Sequence, residues 1–149
     1  MGRHAFYCRK LDVGRCGVEL LTAPTPIADT DAALPNVFAP DDIVWHETDL
    51  GQNFWISDEL VGADYSTLFS AQLTKFGPGG GSPLHHHTYN HAFYFLRGTS
   101  RVQMGDRTWD NKPGTFVKVP AHLEHSVTNT GTEDLIFLVI YDPPHVATD

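Results

Sequence analysis

From Ile43 onward, no stretch of this sequence keeps apolar residues on a 3.6-residue period for the roughly 10–12 residues a helix needs. Short runs rich in Val, Ile, Phe, Tyr and Thr alternate instead with Gly, Pro, Asn and Asp. That is the pattern of antiparallel strands in a sandwich or barrel. The runs are IVWHETD, YSTLFSAQLTKFG, LHHHT, HAFYFLRG, SRVQM, RTWDN, FVKVP, HSVTN and LIFLVIYD. Met104–Gly105–Asp106–Arg107 reads as a tight hairpin, because Gly and Asp accept the backbone angles such turns demand. SDELVGAD, residues 57–64, reads as a short helical turn. The fold class is therefore all-β.

Two of the runs, HAFYFLRG and LIFLVIYD, are apolar on both faces, so both faces must be covered. A second sheet covers one. The other needs either the N-terminal part of the chain or a second subunit, and a homodimer is the expectation. Residues 1–36 include TAPTPIADTDAALPN, with three prolines and little periodicity. The sequence divides into an N-terminal arm over residues 1–40 and a barrel over residues 41–149.

A length of 149 residues fits one domain with a real core. The net charge of −8 argues against nucleic acid, which is bound through Lys and Arg at phosphates. No apolar run approaches a membrane span, and the start lacks the apolar core of a secretory signal. A cytoplasmic protein without membrane or nucleic-acid partners is expected. Cys8 and Cys16 read as free thiols, since two cysteines alone make no thiolate zinc site.

The sharpest chemistry lies in PLHHHTYNHAFYFLRG, residues 83–98. Side chains alternate faces along a strand, so His85 and His87 point one way and His86 the other. If the chain stays extended through Asn90, His91 rejoins the first face. Three imidazoles on one inner face can cradle a metal, with His125 brought opposite by the fold. A solvated histidine-rich loop is the alternative reading of the same residues. Buried neutral imidazoles need partners that an apolar barrel lacks, and a metal ion satisfies them together.

The spacings resemble those of the cupins, whose motifs are G-x5-H-x-H-x3-E-x6-G and G-x5-P-x-G-x2-H-x3-N. Gly79, His85, His87 and Gly98 match the first, with His91 where the family carries Glu. Gly114, Pro120, His125 and Asn129 match the second, with His122 where the family carries Gly. The resemblance implies a double-stranded β-helix, a jelly-roll-like barrel of two antiparallel sheets. It further implies one divalent metal held by His85, His87, His91 and His125. Four neutral histidines leave the ion with its full formal +2, where a carboxylate would leave +1. Such a site suits zinc first, with iron or nickel as alternatives, over magnesium, calcium or manganese.

His122 reads either as a solvent-facing turn residue, since His tolerates the left-handed conformation, or as a proton-transfer group at the mouth. Gln72, Phe93 and Phe95 are candidate substrate contacts, with an exterior position for Gln72 and core packing for the rings as the competing readings. The likeness extends to small cupins that cyclise aromatic polyketides, which implies an aldol-type ring closure of a poly-β-ketone with the metal polarising carbonyl or enolate oxygens. A non-haem iron dioxygenase of a diketone or aromatic substrate is the first alternative. A non-enzymatic metal or small-molecule binder is the second.

Overall fold

In the computed structural model, residues 37–144 are described, and within them every strand pairing is antiparallel. Residues 1–36 of the arm, with His4, Cys8 and Cys16, lie outside the described residues, as does His145. A 3-10 turn at Pro40–Asp42 precedes β1 (Trp45–Glu47), β2 (Gln52–Val61), β3 (Ser70–Gly81), β4 (Asn90–Arg97) and β5 (Ser100–Met104). The chain continues through β6 (Arg107–Asn111), β7 (Phe116–Val119), β8 (His125–Asn129) and β9 (Leu135–Asp142). The expectation of an all-β fold of antiparallel strands holds. The segment read as a helical turn is a correction: Ser57–Val61 is the end of β2, held by pairing with β3, and only the residues after it turn. Tyr65–Phe69 likewise lies before β3 rather than within it.

The strands form one curled sheet in the order β6-β5-β8-β3-β9-β4-β7, with β2 on the free flank of β3 and β1 beyond it. β3 makes the curl. Residues 70–76 pair with β9, whereas Gly81 pairs with Thr128 of β8. The passage between these partners runs through Gly77–Pro78–Gly79–Gly80–Gly81, and at Gly80 and Gly81 a side chain would collide with neighbouring main chain. A Cβ on Gly81 would sit 2.5 Å from the Val127 carbonyl oxygen. Folding the β6-β5-β8 flank over the rest brings Val102 and Val127 against Phe76, Phe93, Phe95, Leu135, Phe137 and Val139. Each side chain of this core contributes about 1.5–3 kcal/mol over an exposed position. The rings meet edge-on, with Phe76–Phe137 and Phe93–Phe137 centroids both 5.4 Å apart.

The motif glycines Gly79, Gly98 and Gly114 all take positive φ, as does Gly105 in the predicted hairpin. Asn129 explains its own place in the second motif. Its Nδ2 lies 3.0, 3.0 and 2.8 Å from the carbonyl oxygens of Phe76, Gly77 and Glu133, while its Oδ1 accepts from Gly131 N–H. It ties the β8 end to β3 and to the loop entering β9. On the outer face Lys75 lies between the rings of Trp45 and Trp55, and Tyr94, Leu96 and Phe116 remain exposed at 41%, 47% and 53%. The two-faced apolar character of β4 is thus real, and its outer side is open to solvent among the described residues.

Candidate metal centre

The residues after β3 do not form the regular strand that LHHHT suggests. Only His85 pairs, with His125, and it does so reciprocally: each main-chain N–H donates to the other's carbonyl, at 3.0 and 2.8 Å. Burial nevertheless alternates, with His85, His87 and Tyr89 partly buried and His86 exposed between the two histidines. β4 then begins, and His91 enters the interior at 7% exposure. The chain at the far side is fixed by two further bonds. His122 N–H donates to the His87 carbonyl, and Ala121 N–H donates to Asn90 Oδ1 at 2.9 Å.

These contacts bring His85, His87 and His125 together, with one ring nitrogen from each lying within 4.8 Å of the others. His91 stands beside this trio, its Nε2 2.8 Å from His125 Nε2. Tautomers follow from the partners. A carbonyl oxygen only accepts, so His125 Nδ1, 2.8 Å from Leu123 O, carries the proton, as does His85 Nδ1, 2.7 Å from Pro83 O. Both rings therefore turn an Nε2 lone pair into the cluster, the arrangement that orients metal-ligating histidines. Metal bonds of about 2.0–2.1 Å place neighbouring ligand nitrogens roughly 2.8–3.4 Å apart, so the His91–His125 separation fits without rearrangement. The residues present suit a divalent metal. Three histidines, His85, His87 and His125, can hold one.

Burial, and then the neighbouring imidazoles of His125, His87 and His85, push His91 down to about 3, so it stays neutral and available as a ligand. Burial also lowers His125, against an opposing contribution from its bond to Leu123. Beside the cluster, Tyr89 stacks on His87 with centroids 4.6 Å apart and an 11° interplanar angle. Tyr141 pairs with His91 across β9–β4 and accepts a 3.2 Å hydrogen bond from Gln72 Nε2. Burial raises both phenols, so they remain protonated donors.

Gln72 is accordingly on the inner side, in the polar layer next to His91, and not on an exterior strand. Of the two readings of Phe93 and Phe95, core packing is the one seen: their rings are 4% and 1% exposed. Only Phe93 reaches the site, its ring 4.8 Å from that of His91. His122 is exposed at φ +65°, taking the left-handed turn its motif position demands. Nothing in the sequence singles out Tyr141. Its place opposite His91 depends on β9–β4 register, which no local pattern displays.

Residues 72–141 match the family model described as a cupin domain. The described residues have the fold of a cupin domain. Among solved structures it is similar to the polyketide cyclase RemF from Streptomyces resistomycificus, with a TM-score of 0.66 and 20% identity over 73% of this chain and 80% of that one. It is also similar to KdgF from Halomonas sp., with a TM-score of 0.64 and 17% identity over 72% and 94% of the two chains. A predicted oxalate decarboxylase from Thermotoga maritima aligns with a TM-score of 0.62 and 21% identity over 72% and 98%. At these identities the likeness is one of fold. Auxin-binding protein 1 of Arabidopsis thaliana is 32% identical over 84 residues, 50% of this chain and 42% of that protein. The chain thus spans under half the length of that curated relative. Among the described residues, no helix is long and apolar enough to cross a membrane.

Proposed function

We propose that this chain is a metal-dependent cyclase acting on a poly-β-ketone, with His85, His87, His91 and His125 as the ligands of one zinc ion. The observation that carries the reading is the donor set. Neutral imidazoles converge there, and a histidine stands at the one position where cupins place a carboxylate. Such a metal would polarise a ketone oxygen and stabilise the charge of an enolate. The aldol step then needs a proton removed from carbon between two carbonyls, a new carbon–carbon bond, and a proton delivered to the ketone oxygen. In this scheme His122, exposed beside His87, would move the proton, and the protonated phenols of Tyr89 and Tyr141 could donate to substrate oxygens. The similarity to a polyketide cyclase supports the reaction class without deciding it.

Two alternatives rest on particular observations. The compact trio of His85, His87 and His125, with His91 set beside it, also suits an iron dioxygenase in which His91 is not a ligand. Kinship with an auxin-binding protein supports a cupin that holds a small organic molecule without turning it over. We place the protein in the cytoplasm, as a homodimer joined through the outer face of β4 and β7. Elemental analysis of protein purified without added metal separates the readings. Zinc with no oxygen uptake on diketones supports the cyclase. Iron with oxygen uptake overturns it.

A further inference from the structure

β6 and β7 are the two ends of the strand order, and the curl leaves them on either side of one seam. A cleft of about 220 Å³ lies there, lined by Val102, Met104, Trp109 and Asn111 from the β5–β6 hairpin and by Thr115 with Phe116, Val117 and Lys118 of β7. Register places the hairpin side chains. Val102 pairs with Trp109, and Met104 pairs with His125, so Trp109 shares a face with Val102, and Met104 with His125. Val102 is fully buried, which makes that face the inner one. One end of the cleft therefore abuts the metal cluster through Met104, while Trp109, 42% exposed, opens the other end to solvent.

The opposite wall differs in kind. β7 pairs only with β4, so its far edge presents main-chain N–H and C=O groups with no strand partner among the described residues. The cleft joins an indole face and apolar side chains to a row of alternating donors and acceptors. A cavity of roughly 150 Å³ already takes benzene, so this one has room for a larger ring carrying oxygen substituents. We propose that the β6–β7 seam is a subsite for a flat, oxygenated aromatic ring, which lies on Trp109 and bonds through its hydroxyl or carbonyl oxygens to the β7 edge. The subsite rests on the functional reading above and gives it a substrate class, a partly cyclised polyphenolic chain extending from the metal to the surface.

Isothermal titration calorimetry of full-length protein with 2-naphthol and 1,3-dihydroxynaphthalene, with and without zinc, tests the subsite apart from the reaction. Saturable binding is expected in both states, tighter for the dihydroxy compound. Trp109→Ala should weaken it at least tenfold, Trp109→Phe should retain it within about threefold, and Thr115→Phe should abolish it by filling the cleft from the turn before β7. His91→Ala should leave binding to metal-free protein unchanged. No saturable binding by the wild type, insensitivity to Trp109→Ala and Thr115→Phe, or loss in His91→Ala would each overturn the subsite. A protein that binds the naphthols but takes up no zinc retains the subsite and loses the cyclase reading. Zinc uptake without naphthol binding removes the subsite and leaves the cyclase reading standing.

Discussion

His91 Nε2 and His125 Nε2 face each other at 2.8 Å, although the residues come from different strands and His125 has its other nitrogen committed to Leu123 O. One proton or one cation must lie between two such lone pairs. The donor at position 91 therefore decides what the site prefers to hold.

Replacing His91 by Ala should lower zinc affinity at least tenfold, measured by competition with a chromophoric chelator, because the proposed fourth ligand would be lost. His91→Glu should retain a divalent ion and move its preference toward manganese, since a carboxylate is the harder donor. Zinc affinity unchanged in His91→Ala would remove His91 from the ligand set.

Metal-free protein should lose stability on mild acidification. His91 is lowered to about 3 in the fold, from the 6.5 of an unperturbed histidine. As pH falls below about 6.5 the unfolded chain takes up a proton that the native site refuses. The slope approaches about 1.4 kcal/mol per pH unit until the native group titrates near 3. Lowering of His125 acts in the same direction. Urea titrations between pH 7 and 5 read this slope, and His91→Ala should flatten it.

Glycine substitutions should separate two kinds of turn. At Gly98, with φ +80°, a Cβ would meet the Asp134 carbonyl oxygen and Leu135 Cα, both at 2.9 Å. Those neighbours are main chain and cannot swing away, so Gly98→Ala should cost about 2–4 kcal/mol. Gly114 has φ +89° but open space around it, so Gly114→Ala should cost only about 1 kcal/mol. Thermal denaturation monitored by circular dichroism distinguishes the two.

The motif spacing makes the barrel and the histidine cluster legible in the sequence. Parity alone separates His86 from its neighbours. What stays hidden depends on pairing between distant strands. Whether His91 meets Tyr141, or Phe95 faces ligand or core, is set by β9–β4 register and by the curl of β3. Neither leaves a local mark. The 57–61 segment misleads for a related reason: Glu59 and Val61 gain their extended form from β3 and Ser57 from β1, against a weak local helical signal.

Ser100 should be improvable. It is 1% exposed, and its hydroxyl has no hydrogen-bond partner among the described residues. Ser100→Ala removes an unsatisfied buried group and should stabilise the fold by about 1 kcal/mol, read as a higher urea midpoint at unchanged slope.

Charges on the outer face should test the proposed dimer. Tyr94 and Phe116 pair across β4–β7, with ring centroids 6.4 Å apart, and both are exposed. Light scattering should show a dimer that becomes monomeric in Tyr94→Glu/Phe116→Glu, with metal content retained. A wild-type monomer would dismiss the interface.

The reciprocal main-chain bonds between His85 and His125 have a mechanical meaning as well. They hold two of the nitrogen donors at a fixed bite before any ion arrives, so little ordering remains to oppose binding. An ion seated there would rivet the turn after β3 to the start of β8 and to β4, segments far apart along the chain. Its loss should therefore loosen the mouth of the barrel while leaving the phenylalanine core beneath intact.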